Sequence, residues 1–283
     1  MVQFFADLFR RCEQSEVNGI QIAKRLEEQH RMHPDIACLI SRCFYKGRLK
    51  THPDATARFM SETPPFELRA DGWMPEQRIV FLDLPWIQEE KHATGEQGGT
   101  PGSPRYTNPA EVDGVVRALS QFLPRPKEPC HLQILSPYRA QVRLIARAAA
   151  EEIVGGKLVN LDGPEFDMQQ SKRLGATVDE FQGSEADVVV VSLVRNNDER
   201  IGRGLGFLAD RRRVNVLLSR ARHKLVLVGS WNFLTSRIDC TVDPREEEEL
   251  AHIARLMRWL ADNILTGRVA RIPFRYTYWG GQV

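Results

Sequence analysis

Runs of valine, isoleucine and leucine that alternate with helical segments constrain the fold of this 283-residue chain more than any other feature. Four such runs are typical of buried strands, at residues 78–84, 131–136, 187–194 and 224–229. Helical apolar periodicity appears between and around them, over residues 31–46, 138–153 and near 210–222. Strands that are apolar on both sides belong to sheets covered on both sides. The pattern therefore predicts an α/β fold in which helices cover both faces of a parallel sheet.

Local signals complete this outline. The sequence Asn108-Pro109-Ala110-Glu111 predicts a capped helix start, and the helix is expected to run to about Phe122. Residues 51–76, rich in Pro, Gly and charge, predict a loop, and residues 158–161 predict a short strand. The polar stretch 89–104 predicts a surface insertion.

Composition limits the class of protein without identifying it. A net charge of +2, with 42% hydrophobic and 27% charged residues, is ordinary for a globular domain. No apolar run is long enough to cross a bilayer, so we expect no membrane partner. Five cysteines without a C-x-x-C pair predict free thiols in a reducing compartment, and hence a cytoplasmic protein.

A metal site is not expected. His30, His33, Cys38 and Cys43 form a string of potential ligands, but their spacing matches no zinc-finger pattern and the segment has helical periodicity. The sequence therefore predicts no structural metal.

The chain also lacks the phosphate-binding loop of ATP-hydrolysing enzymes. That loop needs G-x-x-x-x-G-K-[ST], whereas the Gly156-Lys157 pair is followed by Leu158 and has Glu151 five positions before the glycine. We therefore expect this chain alone not to hydrolyse ATP.

Four blocks of sequence carry a resemblance to a known family. They are EEQHRMHPDIACLISRCFYKGRLKT (27–51), ILSPYRAQ (134–141), ATVDEFQGSEADVVVVSLVRNN (176–197) and GFLADRRRVNVLLSRARHKLVLVG (206–229). Together they resemble superfamily 1 helicases, and in particular the group containing the nonsense-mediated-decay RNA helicase and the replication helicase-nuclease. In that family all four blocks lie in the second of two RecA-like motor domains.

The resemblance implies a domain organisation. Residues 27–237 would form a RecA-like, P-loop-NTPase-type domain that lacks the phosphate-binding loop, with residues 89–104 inserted. Residues 1–26 would connect from a first motor domain, and residues 238–283 would form a C-terminal helix and tail. The cofactor would be ATP, with Mg²⁺ bound mainly by the other domain, which is a partner in cis or in trans.

The resemblance also implies a set of nucleotide-facing residues. Arg31 and Arg220 correspond to arginine fingers that reach the γ-phosphate, and these are the candidate catalytic residues. Glu185 corresponds to a carboxylate near the nucleotide, with Gln182 and Gly183 shaping its loop. The alternative is that both arginines are structural ion-pair residues.

A second set would grip single-stranded nucleic acid at the carboxyl ends of the strands, where ligands of parallel sheets bind. Its members are Ser136, Pro137, Tyr138 and Thr177, with Lys46 and Arg48 as secondary phosphate contacts. Tyr138 is either a base-stacking ring or a packed residue at a helix start.

Three functions stay open on the sequence. The first is the C-terminal motor half of an ATP-dependent helicase. The second is a stand-alone nucleic-acid-binding or regulatory module without ATPase activity, and the third is a decayed gene product. Phosphate contacts do not separate DNA from RNA, so either strand is a possible partner.

Overall fold

The computed structural model of the chain describes residues 26–88, 106–126, 129–155, 175–199, 204–239 and 244–275, with Leu158 and several positions between 8 and 23. Its centre is a six-stranded sheet in which all neighbouring strands are parallel. The strands are β1 Ile79–Asp83, β2 Leu132–Ser136, β3 Ala176–Thr177, β4 Ala186–Ser192, β5 Ala221–Gly229 and β6 Val269–Pro273. Their order across the sheet is β6-β1-β5-β4-β2-β3.

Helices cover both faces of this sheet. They are α1 Pro34–Phe44, α2 Pro53–Ser61, α3 Pro109–Leu119, α4 Arg139–Val154, α5 Arg211–Leu218, α6 Trp231–Asp239 and α7 Pro244–Leu265. Residues of α1, α5, α6 and α7 share one apolar core with the sheet, and residues of α3 and α4 share the other.

Alternation along each strand separates the two cores. In β1, Ile79 and Phe81 belong to the first core, whereas Val80 and Leu82 belong to the second. Successive side chains of a strand point to opposite faces, so a fully apolar strand serves two helical layers at once. The predicted α/β fold with a parallel sheet is confirmed, and its architecture is that of a RecA-like domain.

The segment predicted as loop, residues 51–76, contains regular structure, so that prediction was wrong. It forms α2 and a short strand, Phe66–Leu68, which pairs antiparallel with Phe122–Pro124. The α2 helix begins where His52 Nδ1 accepts from the Asp54 amide at 3.3 Å. Only Ala55 and Phe59 of α2 are buried, and two positions leave too little apolar periodicity to detect.

The C-terminal region joins the same sheet. Strand β6 pairs with β1 at the sheet's edge, and α7 buries Leu250, Ile253 and Leu260 in the first core. Sequence reasoning did not predict β6, because only Val269 in this short edge strand is buried. The division of the chain at residue 237 stays a prediction. The expected strand at 158–161, except Leu158, the insertion at 89–104 and most of 1–26 lie outside the described residues.

Two buried histidines flank one phenylalanine near the beginning of β5. The rings of His33 and His223 contact Phe59 edge-on, with centroids 5.7 and 5.0 Å away. His33 Nδ1 accepts from the Asp35 amide at 3.2 Å, which needs a neutral ring. Burial is the main cause that lowers the pKa of each imidazole from 6.5 to about 4.

These histidines predict acid-sensitive stability. The unfolded chain protonates them near pH 6.5 and the folded chain only near pH 4, so the unfolded state binds more protons between these values. We expect the free energy of unfolding to be at its full value above pH 6.5. It should then fall by on the order of 2–3 kcal/mol per histidine as the pH drops to 4.

Urea unfolding at stepped pH measures this loss. His223→Gln should flatten part of the pH dependence. If the free energy of unfolding has the same pH dependence in wild type and His223→Gln, His223 does not contribute to the acid sensitivity.

Candidate functional site

Arg31, Glu185 and Arg220 meet at one edge of the sheet. Glu185 directly precedes β4 and Arg220 directly precedes β5, and these two parallel neighbours begin at the same edge. The Arg31 segment reaches this edge because the His33 amide donates to the Arg222 carbonyl at 2.7 Å. Three residues from separate sequence blocks therefore come together before the first residues of adjacent strands.

Glu185 is the centre of this cluster. Arg31 Nε donates to Glu185 Oε2 at 2.6 Å, and Arg222 Nε lies 3.7 Å from Glu185 Oε1. The side chains of Arg31 and Glu185 are 36% and 42% exposed, so this ion pair faces solvent and is not an internal one. Sequence reasoning did not select Arg222, although it follows Arg220 by two residues, the spacing that places two side chains on one side of a strand.

Arg220 is held by backbone and hydroxyl oxygens. Its Nε donates to the Val216 carbonyl at 2.8 Å, Nη1 to the Ser184 carbonyl at 3.2 Å and Nη2 to Ser219 Oγ at 3.3 Å. These three bonds fix the guanidinium in one orientation without neutralising its charge.

Two guanidinium groups are thus held near each other. Burial lowers the pKa of Arg220, and the positive charge of Arg31 lowers it further. Arg31 and Arg220 together carry more positive charge than Glu185 balances, and an anion entering from solvent would relieve their repulsion.

The turn that carries Gln182 and Gly183 leads into Glu185. Gly183 has φ +90°, and a Cβ added there would meet nothing within 4 Å. The backbone conformation, and not lack of space, therefore requires glycine at this position. Gln182 is exposed at the same turn.

The predicted strand-gripping residues lie at the opposite edge, where the parallel strands end. Ser136 is the last residue of β2 and Thr177 the last of β3, and the two are paired in register. Ser136 is fully buried, and its Oγ accepts from the Tyr138 amide at 3.5 Å. Pro137 stands between them, ahead of α4.

Internal partners occupy Thr177. Its amide and Oγ1 donate to Glu180 Oε2 at 2.9 and 3.0 Å, and Arg139 Nη2 donates to Glu180 Oε1 at 2.9 Å. Glu180 therefore holds a position that a phosphate oxygen would need in order to reach the Thr177 amide.

Tyr138 is packed among other aromatic rings. Its hydroxyl accepts from the Phe207 amide at 3.2 Å, and its ring stacks on Tyr106 with centroids 4.7 Å apart. Tyr106 is 39% exposed, and the guanidinium of Arg195 lies 5.2 Å from its centroid. Sequence reasoning missed Tyr106 and Arg195, which complete an aromatic surface at this edge.

One turn connects the two edges. Residues 178–185 run from Thr177, at the carboxyl edge, to Glu185, at the amino edge. Asp179 in this turn lies 3.9 Å from Arg213 of α5, and α5 itself leads to Arg220. The candidate strand site and the Arg31–Glu185–Arg220 cluster are therefore joined by one short segment and one helix.

No group of three or more His, Cys, Asp or Glu residues in the described part of the chain is placed to hold a metal ion. No helix among the described residues has the length and apolar character needed to cross a bilayer.

Comparison with known proteins assigns the chain to a family. A family model described as an AAA domain matches residues 5–232. The chain is 29% identical over 218 residues to the Regulator of nonsense transcripts 1 homolog of Drosophila melanogaster, an alignment that covers 75% of this chain and 16% of that protein.

It is also similar to the DNA replication ATP-dependent helicase/nuclease DNA2. Identity to the Mus musculus protein is 28% over 277 residues, covering 87% of this chain and 23% of the relative. Identity to the Bos taurus protein is 31% over 239 residues, covering 78% of this chain and 20% of the relative. The chain thus spans less than a quarter of the length of these relatives. The chain belongs to the AAA domain family and is a superfamily 1 helicase-like domain.

Proposed function

We propose that this chain is the C-terminal motor half of an ATP-dependent helicase. It would bring Arg31 and Arg220 to ATP held by another RecA-like domain, in cis or in trans, and would grip single-stranded DNA or RNA. One observation carries the proposal: two half-exposed arginines from separate blocks lie around Glu185 at one edge of the sheet.

The residues present fit the phosphates of ATP from one side. Phosphoryl transfer depends on charge placed around the transferred group, and an arginine from a neighbouring domain can contribute about 10³–10⁵ in rate. Arg220, fixed by three hydrogen bonds, would supply a positioned charge. Arg31, paired with Glu185 in this structure, would exchange that carboxylate for a phosphate oxygen. Arg222 lies 3.7 Å from the same carboxylate and would keep it paired.

Mg²⁺ would be bound mainly by the other domain, as the resemblance to superfamily 1 helicases implies. The Gly-Lys pair at 156–157 lacks the following Ser or Thr, which supports a phosphate-binding loop supplied by the other domain.

The single-stranded nucleic acid would lie across the carboxyl edge of the sheet, over Ser136, Pro137, Tyr138 and Thr177. Thr177 would exchange Glu180 for a phosphate oxygen, and Tyr106 beside Tyr138 would present a ring to a base. Contact between the nucleic acid and Thr177 would then act on the turn of residues 178–185, which leads to Glu185.

A cytoplasmic location fits the thiols. Cys12, Cys38, Cys43 and Cys130 are free, and burial raises the pKa of the Cys43 thiol to about 12. Free cysteines are typical of proteins in a reducing compartment.

The second candidate is a strand-binding or regulatory module without catalysis. The missing phosphate loop favours it, since the chain then has no nucleotide of its own. The two candidates differ in one result: only the motor half makes ATP turnover appear when a RecA-like domain with an intact phosphate loop is added.

Strand binding by the isolated chain tests what both candidates share. We expect salt-sensitive binding of labelled oligo-dT or oligo-U, with no ATP turnover, because phosphate contacts release counterions. Thr177→Val removes the hydroxyl that would face a phosphate, and binding should weaken about 5-fold, which corresponds to the loss of one hydrogen bond of about 1 kcal/mol. Thr235→Val, on α6, is the control. Equal affinities in wild type and Thr177→Val would show that the nucleic acid does not contact the Thr177 hydroxyl and would contradict the proposed site at this edge.

A further inference from the structure

A cavity of about 620 Å³ lies beside the first turn of α5 and is used by neither proposed site. Its walls come from the end of α1 and the beginning of α5, and they include Phe44, Tyr45, Asp210, Arg211, Arg212 and Asn215. Cavities of 300–1,000 Å³ are the usual size for small-molecule and nucleotide sites.

The lining has excess positive charge. Arg212 is exposed and pairs with none of the carboxylates that the structure describes. Arg211 keeps its charge while Nη2 donates to the Phe44 carbonyl, which holds the guanidinium across the gap between α1 and α5.

Asp210 is the acidic residue of the lining, and both oxygens of its carboxylate already have partners. Its Oδ1 accepts from the amides of Arg212 and Arg213 at 2.9 and 3.3 Å, which caps α5. Its Oδ2 lies 3.8 Å from Arg213 Nε. The carboxylate is therefore held by the helix cap and Arg213, and the two remaining arginines face the cavity.

The opposite wall offers a ring. Tyr45 is 38% exposed, and its hydroxyl accepts from Asn215 Nδ2 at 3.1 Å. That bond fixes the side chain against α5 while leaving part of the ring accessible, and an exposed tyrosine ring is a surface on which a base of any sequence can stack.

The cavity adjoins the proposed strand edge through the same turn of α5. Arg213, next in sequence to Arg212, has its guanidinium 5.3 Å from the Phe207 centroid. The Phe207 ring in turn lies 6.4 Å from that of Tyr138. The first turn of α5 thus has the aromatic surface on one side and the cationic cavity on the other.

We propose that this cavity binds a nucleotide unit of the single strand, with Arg211 and Arg212 neutralising its phosphate and Tyr45 beside its base. This extends the strand's path from Tyr138 across the first turn of α5, and it rests on the proposed strand-binding function. Because the contacts are to phosphate and to the face of a base, the site takes DNA and RNA alike.

Salt titration of binding by the full chain tests the proposal. Affinity for labelled oligo-dT and oligo-U is measured by anisotropy between about 0.05 and 0.3 M salt. Each phosphate contact contributes about 0.7 to the slope of log K against log salt, which amounts to about 5-fold in affinity at 0.1 M. Because Arg211 and Arg212 would share one phosphate, we expect Arg211→Gln/Arg212→Gln to lose one such contact, about 5-fold, and Arg212→Gln to lose part of it.

Matched variants separate this site from its surroundings. Arg268→Gln removes an exposed arginine from the turn before β6 and should leave slope and affinity unchanged. Arg212→Lys keeps the charge and should restore the slope. The single Arg212→Gln change leaves the Arg211–Phe44 bond in place, so a folding defect at the end of α1 cannot produce its effect.

The outcomes are distinct. A lower slope in both Arg212→Gln and the double variant, with Arg268→Gln unchanged, supports the site. A different result would contradict the proposal: wild type binds the oligonucleotide and Thr177→Val binds it more weakly, but the double variant keeps the wild-type slope of log K against log salt. The cavity would then not bind the nucleic acid, and the proposed site at Thr177 would be unaffected. If wild type binds neither oligonucleotide, the proposed strand function and this site fall together.

Discussion

We expect alanine at Arg31 or Arg220 to lower ATP turnover about 10³- to 10⁵-fold once the chain is assembled with a RecA-like domain that carries a phosphate loop. The charge that develops on the transferred phosphoryl group is then left without its partner from this side of the cleft. The measurement is kcat for ATP hydrolysis at saturating single strand, where loss in kcat and not in KM indicates contact with the transition state.

The two arginines should also differ from each other. Arg220 is oriented by Val216, Ser184 and Ser219, so Arg220→Lys, which cannot make the same three bonds, should lose nearly as much activity as alanine. Among the described residues, the Arg31 side chain donates to Glu185 alone, so Arg31→Lys should keep part of the rate.

Arg268→Ala is the control for general loss of positive charge, because this exposed arginine precedes the edge strand β6. Turnover that stays within about 2-fold in Arg31→Ala and Arg220→Ala, with Arg268→Ala unchanged, would show that both arginines are structural. The strand-binding module would then be the better description of the chain.

The convergence of Arg31, Glu185 and Arg220 could be anticipated from the sequence. Glu185 and Arg220 each stand directly before an apolar run, and the beginnings of neighbouring parallel strands share one edge. Fixing Arg31 beside them needed the hydrogen bond between the His33 amide and the Arg222 carbonyl, which leaves no pattern in the sequence.

The aromatic surface at the other edge could not be anticipated. Tyr106 lies 32 residues before Tyr138 in a segment without periodicity, so no pattern in the sequence indicates that the two rings stack. The sequence alone leaves Tyr138 open between a packed and a base-stacking role. Its bond to Phe207 and its stack on Tyr106 account for the packing, and Tyr106 has the exposed ring.

A buried polar network holds the end of β4, and it explains why that edge keeps its shape. Glu111 is fully buried; its Oε2 accepts from Ser192 Oγ at 2.5 Å and from the Val194 amide at 2.7 Å. Gln141 Nε2 donates to the same Ser192 hydroxyl at 3.0 Å. Val194 has φ +70°, a conformation that costs a β-branched residue about 1–3 kcal/mol and persists only where neighbours enforce it.

Glu111→Ala should therefore lower the free energy of unfolding by about 3–5 kcal/mol, since two buried donors lose their acceptor at about 1–3 kcal/mol each and a cavity remains. Denaturant unfolding measures the loss. Glu151→Gln, on α4, removes a carboxylate from the exposed 2.9 Å pair with Arg147 and should change stability by less than about 1 kcal/mol.

A change at Glu111 also tests whether this polar network supports nucleic-acid binding at the carboxyl edge of the sheet. Without Glu111 the strained Val194 can relax, and Arg195, whose guanidinium lies over Tyr106, moves with it. We expect Glu111→Gln to bind oligonucleotide more weakly than wild type even where it is fully folded, because keeping the amide oxygen towards Ser192 and Val194 turns the amide nitrogen towards Asn108 Nδ2, which donates to Glu111 Oε1 at 3.4 Å. If folded Glu111→Gln binds oligonucleotide with wild-type affinity, this network supports only the fold. Nucleic-acid binding would then not depend on the position that Val194 gives to Arg195.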